Sequence, residues 1–95
     1  MISTEFAGNI WDILVEDCGA INVEREGFIH AAKTTKNLEY RFCGNLGFGG
    51  KIYLETPPRI SCYSEDRTKE KDEIIQKTNR KLSEIYEATQ AENSF

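Results

Sequence analysis

This 95-residue chain has few of the residues that usually build metal sites, disulfide frameworks or catalytic centres. It contains a single histidine, His30, and three cysteines that form no CxxC pair, Cys18, Cys43 and Cys62. Structural zinc sites normally take ligands from short-spaced Cys or His pairs, and an odd number of cysteines cannot pair completely within one chain. We therefore expect three reduced thiols, no bound metal and no cofactor.

Long apolar runs are also missing. No stretch approaches the ~20 apolar residues that cross a bilayer as a helix. The first five residues lack a basic region followed by an apolar core, which is the pattern of a secretory signal. Apolar residues make up 39% of the chain and charged residues 29%, as in ordinary globular domains. The sequence thus predicts one soluble domain over residues 1–95, located in the cytoplasm.

The net charge of −4 is unevenly distributed along the chain. Residues 34–63 carry four bases and two acids, whereas the segments on either side are acidic. Affinity for nucleic acid comes mostly from neutralising phosphates, so an acidic total disfavours non-specific nucleic-acid binding. A basic central segment still attracts anionic groups locally.

Apolar residues recur at helical spacing in three segments. The predicted helices cover residues 4–18, about 23–33, and 68 to about 89, and we expect residues 90–95 to be a frayed tail. Residues suited to capping these helices stand at their ends: Ser3 or Thr4, Asn22 and Thr68 at the starts, and Gly19 after the first helix.

Three further segments, residues 38–43, 51–55 and 59–63, alternate apolar and polar residues or are rich in β-branched and aromatic side chains. The connections between them are short, a Gly-rich loop and Thr56–Pro58, which is typical of an antiparallel meander. The predicted fold class is α+β in the order ααβββα, with helices covering one face of the sheet. Strand alternation places Tyr40 and Phe42 on the covered face and Glu39 and Arg41 on the opposite face.

The most distinctive stretch is Gly44–Lys51, which holds four of the seven glycines. A P-loop ending at Lys51 would need glycine at position 45 and Ser or Thr at position 52, where this chain has Asn45 and Ile52. A strand follows instead of a helix, so no helix N-terminus is available to a phosphate. We expect a hairpin loop shaped for the fold or for a protein partner.

No catalytic constellation is visible in the sequence. Ser61 and Ser64 lack a nucleophile-elbow pattern, and Cys62 would need His30 beside it to act as a thiolate nucleophile. Glu65 and Asp66 precede a helix, where the helix dipole favours negative charge without any reaction. We therefore expect a protein that is not an enzyme.

Aromatic and basic residues of the predicted sheet raise an alternative, a small nucleic-acid-binding accessory protein. Such proteins stack bases on aromatic rings and bind phosphates with cations. The candidates here are Tyr40, Phe42, Tyr53 and Tyr63 as platforms, with Arg41, Lys51 and Arg59 as cations. Because the helices need an apolar face to cover, Tyr40 and Phe42 are expected in the core.

Residues 40–79 resemble a group of small, uncharacterised proteins encoded by bacteriophages and prophages. These proteins share the block R-F-x-G-x-L-G-F-G-G-K, followed by C-Y-x-E-D-x-T and a helix. Here the first block is Arg41–Lys51 and the second is Cys62–Thr68. Where the group commonly has proline after the capping threonine, this chain has Lys69, a substitution that a first helical turn tolerates.

The resemblance implies a phage or prophage context but brings no assigned activity with it. Small acidic phage proteins without catalytic residues often bind a host protein, and inhibitors of bacterial defence nucleases, such as anti-CRISPR proteins, are an example. The resulting hypothesis is a non-enzymatic binding protein in the host cytoplasm that engages a host protein. A phage assembly or dimerisation module is a further alternative. The predicted partner-binding residues are Asn45, Phe48 and Lys51 in and beside the loop, with Arg41 and Arg59 nearby.

Overall fold

The computed structural model describes residues 2–35, 39–43, 49–55, 57–62 and 68–93. Helices and strands follow one another in the predicted order, and the α+β fold class is confirmed. The helices are α1 (Thr4–Cys18), α2 (Arg25–Thr34) and α3 (Lys69–Asn93), and the strands are β1 (Glu39–Cys43), β2 (Gly49–Tyr53) and β3 (Arg59–Cys62).

Helix α1 begins and ends at the residues that the sequence predicts. The Ser3 hydroxyl accepts a hydrogen bond from the Phe6 backbone N–H at 3.0 Å, which satisfies one of the donors left free at a helix start. Gly19 adopts a left-handed conformation with φ 69°, and its N–H donates to the Val15 carbonyl. Glycine suits this position because it has no Cβ to clash there.

Helix α2 begins later than predicted. Asn22–Glu24 form a short 3₁₀ helix, and α2 starts at Arg25 with Glu24 in the capping position, so the prediction that Asn22 caps this helix is wrong. The apolar pattern placed Val23 at the start of the buried face, whereas this residue is 85% exposed. The buried face of α2 consists of Phe28, Ile29 and Ala32.

Helix α3 is capped as predicted, since the Thr68 hydroxyl accepts a hydrogen bond from the Lys71 N–H at 3.1 Å. The helix continues to Asn93, so residues 90–93, which we expected to fray, are helical. Its inward face is centred on the fully buried Thr78 and Leu82. Apolar residues one turn before and after these two are half-buried: Ile74, Ile75, Ile85 and Tyr86.

The sheet is an antiparallel meander in the order β1-β2-β3, as predicted. Strand β2 spans Gly49–Tyr53 instead of residues 51–55, so two glycines placed in the loop belong to the strand. The pairing explains this shift, because Cys43 lies opposite Gly49 and Phe42 opposite Gly50. The ladder of β1 therefore continues into the Gly-rich block.

The core lies between one face of the sheet and the helices. Trp11 of α1 is fully buried and stacks on Phe28 of α2 at a centroid distance of 5.0 Å. Tyr40 of β1 meets both rings edge-on, at 6.0 Å from Trp11 and 5.3 Å from Phe28. The predicted placement of Tyr40 and Phe42 on the covered face is confirmed. The apolar cluster extends across the three strands through one buried residue on each: Phe42, Ile52 and Ile60.

Polar contacts join α1 to α3 beside this core. The Asp17 carboxylate is only 4% exposed and accepts hydrogen bonds from Lys81 Nζ at 2.8 Å and from the Thr78 hydroxyl at 3.3 Å. The Cys18 sulfur lies 3.7 Å from the same hydroxyl. A buried carboxylate needs such donors, because an unpaired one would be costly away from water. The two helices are thus held in one relative position by specific polar atoms as well as by apolar packing.

Candidate protein-binding face of the sheet

The face of the sheet opposite the core carries three of the five predicted partner-binding residues. Side chains alternate between faces along a strand, and the residues that alternate with these positions are buried in the core or, for Tyr40, half-buried against it. The alternate positions therefore share the other face, which we call the open face. Strand pairing arranges it in two rows: Arg41 with Lys51 and Ser61, and Glu39 with Tyr53 and Arg59.

Lys51 forms an ion pair within the open face. Its Nζ lies 2.8 Å from Glu39 Oε1 on the neighbouring strand, in a diagonal cross-strand arrangement. The hydrogen bond from Lys51 lowers the pKa of the Glu39 carboxyl, and the same bond raises the pKa of Lys51. Both charges are therefore maintained over a wider pH range than in isolation. The Lys51 side chain is 24% exposed, so solvent and other molecules can reach it.

Arg41 lies directly opposite Lys51, so two cations face each other across β1 and β2. After Lys51 itself, the positive charge of Arg41 is a further cause of the lowered pKa of Glu39. Like charges placed directly opposite destabilise a strand pair, and the Glu39 carboxylate beside Lys51 counteracts this repulsion. Among the described residues, no carboxylate lies within ion-pairing distance of the exposed Arg41 guanidinium. This guanidinium is the group on the open face that is best placed to accept an external anion.

Arg59 is held by two neighbours on the open face. Its Nε lies 3.1 Å from Glu55 Oε2, and its guanidinium carbon lies 4.6 Å from the centre of the Tyr53 ring. Arginine over an aromatic ring is attracted by the ring's electron-rich face, and the ring orders the side chain without neutralising it. Half of the Arg59 side chain remains exposed, which leaves it able to contact a partner.

Asn45 and Phe48, the two other predicted site residues, lie outside the described residues, and their roles stay predictions. The end of the Gly-rich block is described, and it has a packing role. A Cβ added to Gly50 would lie 2.7 Å from Phe42 Cζ and 3.0 Å from the Ser61 carbonyl oxygen. Glycine is thus required at position 50 because the buried Phe42 ring passes over the backbone there.

The contacts that Glu39, Glu55 and Tyr53 make with the cations were not predicted from the sequence. Strand alternation placed Glu39 on the same face as Arg41, but it did not identify this carboxylate as the partner of Lys51. The contact between Tyr53 and Arg59 could have been predicted. Both residues lie three positions from residue 56, so they pair if the hairpin is symmetric about that residue. The same symmetry places Glu55 opposite Pro57, so its contact with Arg59, four residues further along the chain, is decided by the structure.

Two of the proposed stacking platforms are not available to a nucleic acid. Phe42 is 2% exposed, and Tyr40 is engaged by Trp11 and Phe28 on the core side. Burial raises the pKa of the Tyr40 hydroxyl, so this group stays protonated. The ring of Tyr53, on the open face, already carries a guanidinium. The fourth proposed platform, at position 63, lies outside the described residues.

The described residues hold no group of three or more His, Cys, Asp or Glu side chains that could bind a metal ion. Cys18 and Cys62 are free thiols, and burial raises the pKa of Cys18. No described helix is long and apolar enough to cross a membrane. Comparison with protein-family models, curated proteins and solved structures found no match.

Proposed function

We propose that the chain is a non-enzymatic binding protein that engages another protein through the open face of its sheet. The observation that carries this proposal is the arrangement of Arg41, Lys51 and Arg59 on one accessible face of an otherwise acidic chain. These three cations lie on the face that the helices do not cover, and they are not part of the buried core. A binding role would account for a cluster of basic residues on this face.

The chemistry of this face favours a partner surface that carries carboxylates. Arg41 offers a planar fork of donors, and Arg59 is oriented by Tyr53, so both suit bidentate contacts to Asp or Glu. Ordering before binding reduces the entropy that is lost when a long side chain is immobilised. The resemblance to phage and prophage proteins supports the proposal that the partner is a host protein, with an anti-defence role of the anti-CRISPR type.

A pull-down from a lysate of the host bacterium tests the proposal. The tagged chain is used with and without nuclease treatment, the captured protein is identified by mass spectrometry, and its affinity is then measured with purified components. Arg41→Ala and Lys51→Ala are each expected to weaken binding at least about tenfold, with the melting temperature nearly unchanged. Phe48→Ala tests the loop in the same way.

Lys77→Ala is the matched control, because it removes the same charge from an exposed position on α3. It should bind like the wild type. If Lys77→Ala and Lys51→Ala lose the same affinity for the partner, then net charge, and not the open face, determines binding. Unfolding of Phe48→Ala would show that the loop residue is structural. A lysate that yields no stoichiometric partner after nuclease treatment would count against the proposal.

The nucleic-acid alternative is separated by a different measurement. Binding to labelled oligonucleotides that weakens steeply with salt would favour it, because each phosphate contact releases counterions. The burial of Phe42 and the engagement of Tyr40 in the core weaken this alternative, since few stacking platforms remain. A protein partner that survives nuclease treatment would argue for the main proposal.

A further inference from the structure

The two edges of the sheet differ in how their backbone groups are satisfied. At β3, the side-chain amide of Asn79 from α3 accepts a hydrogen bond from the Ile60 N–H at 2.7 Å and donates one to the Ile60 carbonyl at 3.2 Å. At β1, no hydrogen bond from elsewhere in the described chain reaches the outer side of Glu39–Cys43. Alternate residues of a strand direct their backbone groups away from the neighbouring strand, so an edge of this kind is a template for another strand.

Strand β1 carries a self-complementary charge pattern at this edge. Glu39 and Arg41 share the open face, both are exposed, and Tyr40 stands between them on the core face. Suppose that a second copy pairs antiparallel with its Tyr40 opposite this Tyr40. Glu39 of each copy then lies opposite Arg41 of the other, and two equivalent ion pairs form across the two-fold axis.

We propose that two copies of this chain associate through antiparallel β1–β1 pairing centred on Tyr40, which makes one continuous six-stranded sheet. Opposite charges directly across an antiparallel pair stabilise it, whereas like charges destabilise it. The pairing gives the Arg41 guanidinium a carboxylate that the described part of a single chain does not provide, and it offsets the repulsion between Arg41 and Lys51. A two-fold interface of this type contacts itself with the same residues from both copies.

Dimerisation would also extend the open face. Lys51 and Arg59 of the two copies would lie on the same side of the joined sheet, on either side of the axis. The dimer is a property of the sheet edge and does not depend on the proposed partner. Because Arg41 takes part in both, Lys51→Ala, whose side chain lies outside the β1–β1 contact, tests the partner proposal, and sedimentation of the isolated chain tests the dimer.

Sedimentation equilibrium of the purified full chain tests the proposal, over concentrations from about 1 μM to about 1 mM. A monomer–dimer equilibrium is expected, because a register centred on Tyr40 sets only Glu39, Tyr40 and Arg41 of the two described strands opposite one another, which gives a small interface. Arg41→Glu and Glu39→Arg are each expected to raise the dissociation constant at least about tenfold, since both symmetry-related pairs become repulsive. A wild type that stays monomeric throughout this range would overturn the proposal.

Mixing the two single variants provides the sharper test of register. In a mixed dimer, the Arg41→Glu copy carries carboxylates at both positions 39 and 41, and the Glu39→Arg copy carries guanidinium groups at both. Each carboxylate then faces a guanidinium, so both pairs are attractive again, and the mixture should associate more tightly than either variant alone. Circular dichroism of each variant confirms that it is folded. A mixture that associates no better than its components, or a dimer that Arg41→Glu leaves unchanged, would place the interface elsewhere.

Discussion

The side-chain amide of Asn79 forms hydrogen bonds with both backbone groups of Ile60, at 2.7 Å to the N–H and 3.2 Å to the carbonyl. An amide side chain presents a donor and an acceptor at about the spacing of a peptide group, so Asn79 takes the place of a neighbouring strand at this point. The contact fixes α3 along β3 and closes that edge of the sheet. It explains how a polar residue on the last helix can determine which edge remains open.

Replacement of Asn79 by alanine should lower the free energy of unfolding by about 1–3 kcal/mol, because it leaves the Ile60 backbone groups without their partners. Urea unfolding followed by the fluorescence of Trp11, the single and fully buried tryptophan, measures the change. Gln76→Ala on the exposed face of the same helix is the control and should change stability by less than about 0.5 kcal/mol. Equal effects of the two substitutions would show that the amide is not a structural contact.

Gly50 and Gly27 should respond in opposite directions to alanine. At Gly50 the new Cβ would lie 2.7 Å from Phe42 Cζ, so we expect overpacking to cost about 1–3 kcal/mol. At Gly27 the nearest atom would be the Tyr40 hydroxyl at 3.8 Å, an ordinary contact. Because alanine is the better helix former, Gly27→Ala should stabilise the protein by about 0.5–1 kcal/mol. Thermal and urea unfolding compare the pair, and a neutral Gly50→Ala would contradict the close approach.

Thr78 should be sensitive to loss of its hydroxyl even when its shape is kept. Thr78→Val removes the donor to Asp17, whose carboxylate is 4% exposed, and is expected to destabilise the fold by about 1–3 kcal/mol. Thr34→Val is the matched control, because the Thr34 hydroxyl is exposed and, within the described part of the chain, bonds only to carbonyls of its own helix. Chemical unfolding of both variants checks this difference. A neutral Thr78→Val would mean that Lys81 alone satisfies the carboxylate.

The Glu39–Lys51 pair predicts a specific dependence on pH. The pKa of Glu39 lies below its ordinary value of 4.5, so the folded state binds this proton less readily than the unfolded state. The contribution of the pair to stability is therefore present above pH 4.5 and is lost as the pH falls through the lowered pKa. The difference in stability between the wild type and Glu39→Gln should shrink on acidification.

Carboxyl NMR titration measures the same pair directly. In the wild type the Glu39 midpoint is expected below the ordinary value, and in Lys51→Met it should move upward. The midpoint should still remain below the ordinary value of a glutamate, because Arg41 also lowers the pKa of Glu39. A midpoint that does not respond to Lys51→Met would show that the ion pair is not formed in solution.

Local patterns predicted much of the fold. The caps at Ser3, Gly19 and Thr68 depend on a few neighbouring residues, and the alternation along β1 separated Tyr40 from Arg41 correctly. The same patterns gave the wrong boundary for strand β2, which depends on pairing with β1. Strand β2 starts at Gly49 because this residue pairs with Cys43. The strand propensity of two consecutive glycines does not predict this start.

In the candidate site, too, some features follow from the sequence and others only from the tertiary structure. Sequence alone determined that Arg41 points away from the core, that the central segment is basic, and that the loop before Lys51 does not match a phosphate-binding motif. Only the tertiary structure decided that Arg41 faces Lys51, that Glu39 pairs with that lysine, and that Asn79 closes one edge of the sheet. Helical and strand periodicity assign a side chain to a face, whereas ion pairs and edge contacts depend on strand register and helix docking between residues far apart in the chain.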